Sequence, residues 1–331
     1  MPNKIRWGIL GCGRIARKFA ADLKYVDDAT LIAVGSRSQA VADEFAASFP
    51  VTYRHNSYEG LASNPEVDII YVASPHGLHR DHVLLCVENG KAVLCEKAFA
   101  LNAGQAREMI NAAQKNRVFL MEALWTKFLP HYQLMKQMIA EGKLGEIRNV
   151  LVNFGFIPAS PIPDRLFDPA LGGGTMLDIG IYNVFMAMSV LGKPDTIEAS
   201  MEPASTGVDA QCAVLFKYKS GAMAQLFSSF TTNLPTEADI SGDRGRIRLA
   251  SRFYEPGTTI EFYPERVDSK QIIPFDREAG FGYQFEARHA GECLRKGLVQ
   301  SEVMSHRDTL ELMETLDNIR SVAGIRYEVD E

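Results

Sequence analysis

An apolar run, Ile5-Arg6-Trp7-Gly8-Ile9-Leu10, passes directly into Gly11-Cys12-Gly13-Arg14-Ile15-Ala16, and no other stretch constrains the chain as strongly. The run reads as a buried parallel strand, and Ile15 to Leu23 reads as the helix after it. The G-x-G-x-x-A between them has a physical meaning. Gly11 permits a tight turn, Gly13 leaves the backbone open to a pyrophosphate, and small Ala16 lets the helix pack closely on the strand. The first amides of that helix have no partner within it and point toward an anion, aided by the helix dipole. The sequence therefore predicts a dinucleotide site in which Gly11, Gly13, Arg14 and Ile15 take part. An ordinary glycine-rich strand-to-helix turn is the bland alternative.

Bulk properties narrow the class. A chain of 331 residues is long enough for two domains with separate cores. The net charge of -6 and a sequence pI near 5.7 argue against a nucleic-acid footprint. Five scattered cysteines without C-x-x-C spacing fit reduced thiols better than disulfides or a structural zinc. With a strand beginning so early there is no room for a signal peptide, and no apolar run reads as a membrane span. A cytoplasmic protein is expected.

The first third alternates strand and helix. Strands are predicted at 31–34, 68–72, 92–95 and 118–121, and helices at 39–48, 79–88 and 103–115. This alternation implies right-handed crossovers and a parallel sheet. After Met121 comes a helix over 128–141, followed by strands at 147–156, 196–201, 211–219, 223–231, 237–241, 247–250 and 259–263. Lys219-Ser220-Gly221 signals a hairpin, so an antiparallel sheet is expected. Amphipathic helices over 283–295 and 308–322 close the chain. The predicted class is α/β: a doubly wound parallel sheet of Rossmann type over residues 1–123, then an α+β domain over 124–331 with a large, mostly antiparallel open sheet.

Strand two ends Gly35-Ser36-Arg37-Ser38, without the carboxylate that NAD-preferring units place there to bind the ribose 2′-hydroxyl. Arg37 can instead grip a 2′-phosphate, with hydroxyls from Ser36 and Ser38, so NADP is expected ahead of NAD.

Three further stretches carry chemistry. Ser74-Pro75-His76-Gly77-Leu78-His79 follows a buried strand at the carboxyl edge of the sheet, where doubly wound folds hold ligands. His76, His79 and His82 are three apart, but no carboxylates join them, and no metal is expected. His76 is placed near the cofactor and His79 at the start of the next helix. Glu96-Lys97 also follows a strand. At that edge a lysine can stabilise an alkoxide or lower a neighbour's pKa, whereas elsewhere the two would be a surface ion pair of little consequence. Gly172-Gly173-Gly174-Thr175-Met176-Leu177-Asp178-Ile179-Gly180-Ile181-Tyr182 places Asp178 and Tyr182 on one helix face. A tyrosine titrates near 10, so it serves as a base at neutral pH only if a cation lowers that value, and Lys97 is the candidate.

The glycine turn, Ser74-Pro75-x-x-x-His79, Glu96-Lys97, Glu122-Ala123-Leu124-Trp125-Thr126-Lys127-Phe128 and Gly-Gly-Gly-x-x-x-Asp-x-Gly-x-Tyr together resemble the glucose–fructose oxidoreductase / inositol dehydrogenase / rhizopine-catabolism (Gfo/Idh/MocA) family. The resemblance spans essentially the whole chain. Within the family, the Met-Glu-Ala-x-Trp segment and the final tyrosine look most similar to the branch of dimeric dihydrodiol and NADP-dependent D-xylose dehydrogenases. The resemblance implies that Lys97 and Tyr182 are catalytic and that Asp178 orients a substrate hydroxyl. It also implies that Trp125 and Phe154 line the substrate pocket. Ser74, His76, His79, Glu96 and Lys97 join Ser36 and Arg37 around the cofactor. The same resemblance implies a homodimer formed through the open sheet. The family's Glu-Lys-Pro is Glu96-Lys97-Ala98 here. The cis bond usual before that proline costs far more before alanine, so the motif alone does not orient Lys97. The His76 position is often Asn in relatives. The expected reaction is hydride transfer between a hydroxyl of a sugar or cyclic vicinal diol and NADP. The alternatives are a catalytically silent NADP-binding sensor of the same fold and a reductase of a keto-sugar.

Overall fold

The computed structural model describes residues 4–264 and 270–330 as two compact units. The first comprises residues 1–128 and 278–310, and the second comprises 129–277 and 311–331.

The first unit is built on β1 (Ile5–Leu10), β2 (Ala29–Gly35), β3 (Tyr53–His55), β4 (Ile69–Val72), β5 (Ala92–Glu96) and β6 (Leu120–Ala123), all paired in parallel in the order β3-β2-β1-β4-β5-β6. This is the doubly wound order, and its reversal between β1 and β4 opens a crevice at the carboxyl ends of those strands. The central strands are near-continuous apolar runs because helices cover both faces: Ile69 to Val72 and Val93 to Cys95 are fully buried. The crossover helices are α1 (Arg14–Leu23), α2 (Gln39–Ser48), α3 (Tyr58–Ala62), α4 (His79–Glu88) and α5 (Ala103–Asn116). Short β3 and α3 leave little periodicity and were not expected from the sequence.

A cut at 123/124 follows the sequence but not the packing. The chain leaves the first unit only after Phe128 and returns to it with the segment containing α8 (Tyr283–Arg295). A buried carboxylate explains the return. Asp22 on α1 accepts hydrogen bonds from the amides of Phe281 and Tyr283, each at 2.9 Å, capping the start of α8. Tyr283 then lies flat against Trp125, with ring centroids 4.6 Å apart and planes 2° off parallel.

In the second unit α6 (Pro130–Ala140) and α7 (Ile181–Leu191) accompany an eight-stranded sheet of order β14-β13-β12-β11-β7-β10-β9-β8. Its strands are β7 (Ile147–Gly155), β8 (Thr196–Pro203), β9 (Asp209–Lys217), β10 (Met223–Ser229), β11 (Ala238–Gly242), β12 (Gly245–Ala250), β13 (Thr259–Pro264) and β14 (Gln271–Ile273). The sheet is mixed rather than purely antiparallel, because β7 and β10 run parallel. The chain reaches β10 from β7 only after crossing through α7, β8 and β9, and that crossover restores its direction. Cross-strand register explains why one face is buried. Ile260, Leu249, Ala238, Val152, Leu226 and Val214 form one buried row across the sheet. The adjacent row, Glu261, Arg248, Asp239, Leu151, Gln225 and Leu215, faces away from it, and Leu151 is 42% exposed. The helix α9 (His306–Ala323) closes the fold.

One expectation is corrected. The stretch Pro169–Leu191 is long and apolar enough to cross a membrane, with a window of mean hydropathy 1.4. It is 78% buried within the protein and is broken by a glycine turn, which is the pattern of a core helix.

Candidate active site

In the first unit, parallel register brings five loops to one edge. Leu10 pairs with Gly35 and Val72, Val72 with Cys95, and Glu96 with Ala123, so the segments after β1, β2, β4, β5 and β6 emerge together. Gly11 has φ +95°, and a Cβ there would press on the Ala73 carbonyl. Gly13 is the N-cap of α1 with no side chain capping its first amides, and a Cβ there would meet nothing within 4 Å. Open space in front of uncapped amides, at Arg14 and Ile15, is what a pyrophosphate requires. The residues present therefore fit a dinucleotide.

At the end of β2, Ser36 is buried and Arg37 is exposed. The phenol of Tyr58 is pushed up by burial and lowered in part by the charge of nearby Arg37. Tyr58 lies on α3, an element the sequence did not reveal, and its ring meets the edge of His82 at 4.6 Å.

After β4, the Ser74 hydroxyl and His82 Nδ1 are 2.8 Å apart. His79, expected among the cofactor contacts, is fully buried and acts as a clamp. Its Nε2 lies 2.8 Å from the Ser74 carbonyl oxygen and its Nδ1 2.9 Å from that of Ala98. Burial pushes its pKa down to about 4, and a neutral ring donates to one of these two carbonyls at a time while packing between the loop after β4 and the loop after β5. His76 is nearly buried, edge-on to His79 at 5.8 Å. These histidines have separate structural partners, and among the described residues no group of three metal-ligating side chains is gathered.

Glu96 ends β5 inside the core. Tyr71 donates its hydroxyl to one carboxylate oxygen, and the Lys97 amide donates to the other at 3.2 Å. Glu286 of α8 is fully buried, its oxygens without a hydrogen-bond partner among the described residues, and burial followed by the charges of Glu96 and Asp22 pushes its carboxyl well above the usual range. The Lys97–Ala98 peptide is cis. Lys97 itself is half-buried, where Glu96 is sunk in the core. Trp125 sits in the loop after β6, 4% exposed against Tyr283.

The second unit brings together the remaining candidates. Asp178 lies in a π-helical turn, Met176–Gly180, which runs into α7, instead of the plain α-helix that its spacing predicts. Such turns recur at functional sites because they re-aim side chains. Asp178 is paired with Arg165 at 3.3 Å, and its side chain is 13% exposed. Tyr182 is 5% exposed, and its ring centroid lies 4.9 Å from Tyr254 and 6.0 Å from Phe154. Phe154 and Tyr254 stack at 4.4 Å. Phe154 and Tyr182 are therefore neighbours, while Trp125 belongs to the other unit.

Tyr254 and Arg165 were not identified individually from sequence, because both lie on loops whose course depends on distant partners. The Tyr254 loop turns through two left-handed residues, Ser251 (φ 58°) and Arg252 (φ 50°). Buried His131, pushed down to about 4 and hence neutral, donates from Nε2 to the Phe253 carbonyl at 2.9 Å and fixes that loop.

The turn before Asp178 is equally constrained. Asp209 accepts from the Thr175 hydroxyl at 2.5 Å and the Met176 amide at 2.7 Å. Gly174 has φ +107°, and a Cβ there would fall 2.3 Å from the Asp209 carboxylate. Only glycine fits.

Comparison with known proteins agrees with this geometry. Residues 5–124 match the oxidoreductase family with an NAD-binding Rossmann fold, and residues 132–248 match the GFO/IDH/MocA C-terminal domain. The chain is 36% identical to trans-1,2-dihydrobenzene-1,2-diol dehydrogenase of Xenopus laevis, covering 97% of this chain and 99% of that protein. It is 34% identical to the Homo sapiens enzyme of the same name, over 98% and 99%. A 3-ketoreductase from Actinomadura kijaniata, crystallised with NADP and TDP-benzene, superimposes with a TM-score of 0.86 at 25% identity, over 97% of this chain and 98% of that one. An aldose-aldose oxidoreductase from Caulobacter crescentus shares the fold at a TM-score of 0.88 and 23% identity, over the same shares of the two chains. From the glycine turn to the Asp178–Tyr182 run, the chain belongs to the Gfo/Idh/MocA oxidoreductase family and is an NAD(P)-dependent dehydrogenase.

Proposed function

We propose that the protein oxidises a hydroxyl of a cyclic vicinal diol or sugar with NADP. One observation carries the substrate class: Asp178 and Tyr182 lie on one short segment beside the stacked rings of Phe154 and Tyr254. Carboxylate and phenol suit hydroxyl groups, and the aromatic wall suits the apolar face of a ring. The diol dehydrogenase relatives support the same class.

In this reading Gly11, Gly13, Arg14 and Ile15 hold the pyrophosphate, Ser36 and Arg37 the 2′-phosphate, and Ser74, His76 and Lys97 the nicotinamide end. When bound, the nicotinamide supplies a hydride acceptor. Tyr182 removes the hydroxyl proton. Lys97, in the unit that holds the cofactor, is the cation assigned to the reaction. Asp178 accepts a hydrogen bond from a substrate hydroxyl and so fixes which carbon reacts. The same groups serve the reverse direction, ketone reduction, as the 3-ketoreductase relative illustrates. We place the protein in the cytoplasm, a reading supported by five free cysteines. We also propose a homodimer through the sheet face that exposes Leu151.

The test is a panel of aldoses, keto-sugars and cyclic trans-diols assayed in both directions with NADP and NAD. Turnover of a ring diol or aldose with NADP is expected. NADPH binding without turnover of any panel member would identify a silent sensor instead.

A further inference from the structure

The C-terminal segment after α9 folds back onto the turn that carries the candidate catalytic groups. Arg320, with its side chain only 3% exposed, bridges Asp317 and Asp330, each at 2.6 Å. Asp330 in turn accepts the Tyr327 amide at 3.0 Å, and the guanidinium lies over the Tyr327 ring at 4.9 Å. These contacts, with buried Ile325, anchor the segment. The Tyr327 hydroxyl has a separate partner: it donates to the Gly173 carbonyl at 2.6 Å. Burial, reinforced by the charge of Asp209, raises this phenol far above the ordinary tyrosine value, so it is a permanent donor.

Gly173 and Gly174 are held on their other side by the loop that carries Arg165. The Gly173 amide donates to the Asp168 carbonyl and the Gly174 amide to the Leu166 carbonyl, both at 2.8 Å. Asp209 pins the next two residues. The entry to the π-helical turn is thus fixed from three directions, and the tail supplies one of them through a single hydroxyl.

We propose that Tyr327 is a positioning residue for the reaction: its hydroxyl sets the Gly172–Gly174 turn and thereby the angle at which Asp178 and Tyr182 meet the substrate. The inference rests on the reading of Asp178 and Tyr182 as the substrate-handling pair. Small displacements of such a pair have large effects on rate, because the reacting atoms must stay in near-attack geometry.

The test uses the full chain with Tyr327→Phe, which keeps the ring and removes the hydroxyl. Asp330→Asn weakens the anchor, and Tyr182→Phe serves as reference. With the best panel substrate, Tyr327→Phe is expected to lower kcat roughly tenfold or more, with NADPH affinity and Tm close to wild type. Amide hydrogen exchange over residues 173–180 should become faster, and exchange over residues 5–96 should not change. Asp330→Asn should give a smaller loss in the same direction. Wild-type kcat and exchange in Tyr327→Phe, beside an inactive Tyr182→Phe, would overturn the positioning role and leave the proposed function standing. An equal or greater loss in Asp330→Asn would assign the effect to anchoring and overturn the role of the hydroxyl. Full turnover in Tyr182→Phe would remove the proposed function and this inference with it.

Discussion

Lys97 and the Asp178–Tyr182 pair are the two sets of groups to which the proposed function assigns the chemistry, and they are held in different ways. Lys97 follows a parallel strand, and the ladder from Val72 to Cys95 and from Glu96 to Ala123 sets where its backbone emerges. Its supports are close in sequence: Tyr71 on Glu96 spans 25 positions, and His79 on Ala98 spans 19. Asp178 follows no strand. Its turn is held by Arg165 at a separation of 13, Asp209 at 33 and 34, and Tyr327 at 154 through Gly173. A strand end inherits its position from the sheet, whereas a helix entry must be fastened piece by piece. The first arrangement suits a cofactor shared across many proteins. The second lets the substrate side change one fastening at a time.

This contrast leads to experiments in which changes to the first unit act through cofactor and chemistry, and changes to the second, Tyr182 apart, act through substrate. The largest effect is expected from Lys97→Met and Tyr182→Phe. Each should lower kcat roughly a thousandfold while NADPH binding, followed by fluorescence, stays near wild type. Near-normal rates in both would remove the assigned roles. Arg37→Ala should raise the KM for NADP roughly ten- to a hundredfold and leave that for NAD almost unchanged, because a charged contact to the 2′-phosphate is lost. Equal effects on both cofactors would break the NADP assignment. Tyr254→Ala removes a stacked wall and should raise the KM for a ring substrate about three- to tenfold without touching the KM for NADP. A change confined to NADP would break the division between the two units.

The smallest expected effect on activity concerns Glu122, at the end of β6, whose carboxylate oxygens have no hydrogen-bond partner among the described residues. Burial pushes its pKa up to about 7, which Thr309 and the Phe99 amide offset only in part. Between the ordinary carboxylate value near 4.5 and about 7, the folded protein holds this proton and the unfolded chain has lost it. Stability should therefore fall as pH rises through that window, by on the order of 3 kcal/mol in all. Glu122→Gln should flatten that slope in denaturant titrations from pH 4 to 8, with kcat little changed. An unchanged slope would show that Glu122 is not the group responsible.

The first unit was largely legible in the sequence because its determinants are local. Helices 39–48, 79–88 and 283–295 were placed at the residues where they occur. What escaped was short or non-periodic: β3 and α3 with Tyr58. In the second unit the strands were visible, but the parallel pairing of β7 with β10 was not, since alternation reports a buried face and says nothing of direction.

For the active site, the sequence by itself determined the chemistry available: a glycine turn for a dinucleotide, Arg37 in place of an acid, Lys97 at a strand end, and Asp178 four residues before Tyr182. Tertiary structure alone decided how those groups are held. It turned His79 from a cofactor contact into a clamp, placed Tyr254 on Phe154, paired Arg165 with Asp178, and brought Tyr327 to Gly173. The physical reason is range. Periodicity and turn chemistry act over a few residues, but a buried hydroxyl finds its carbonyl wherever packing brings the two together, here at a sequence separation of 154.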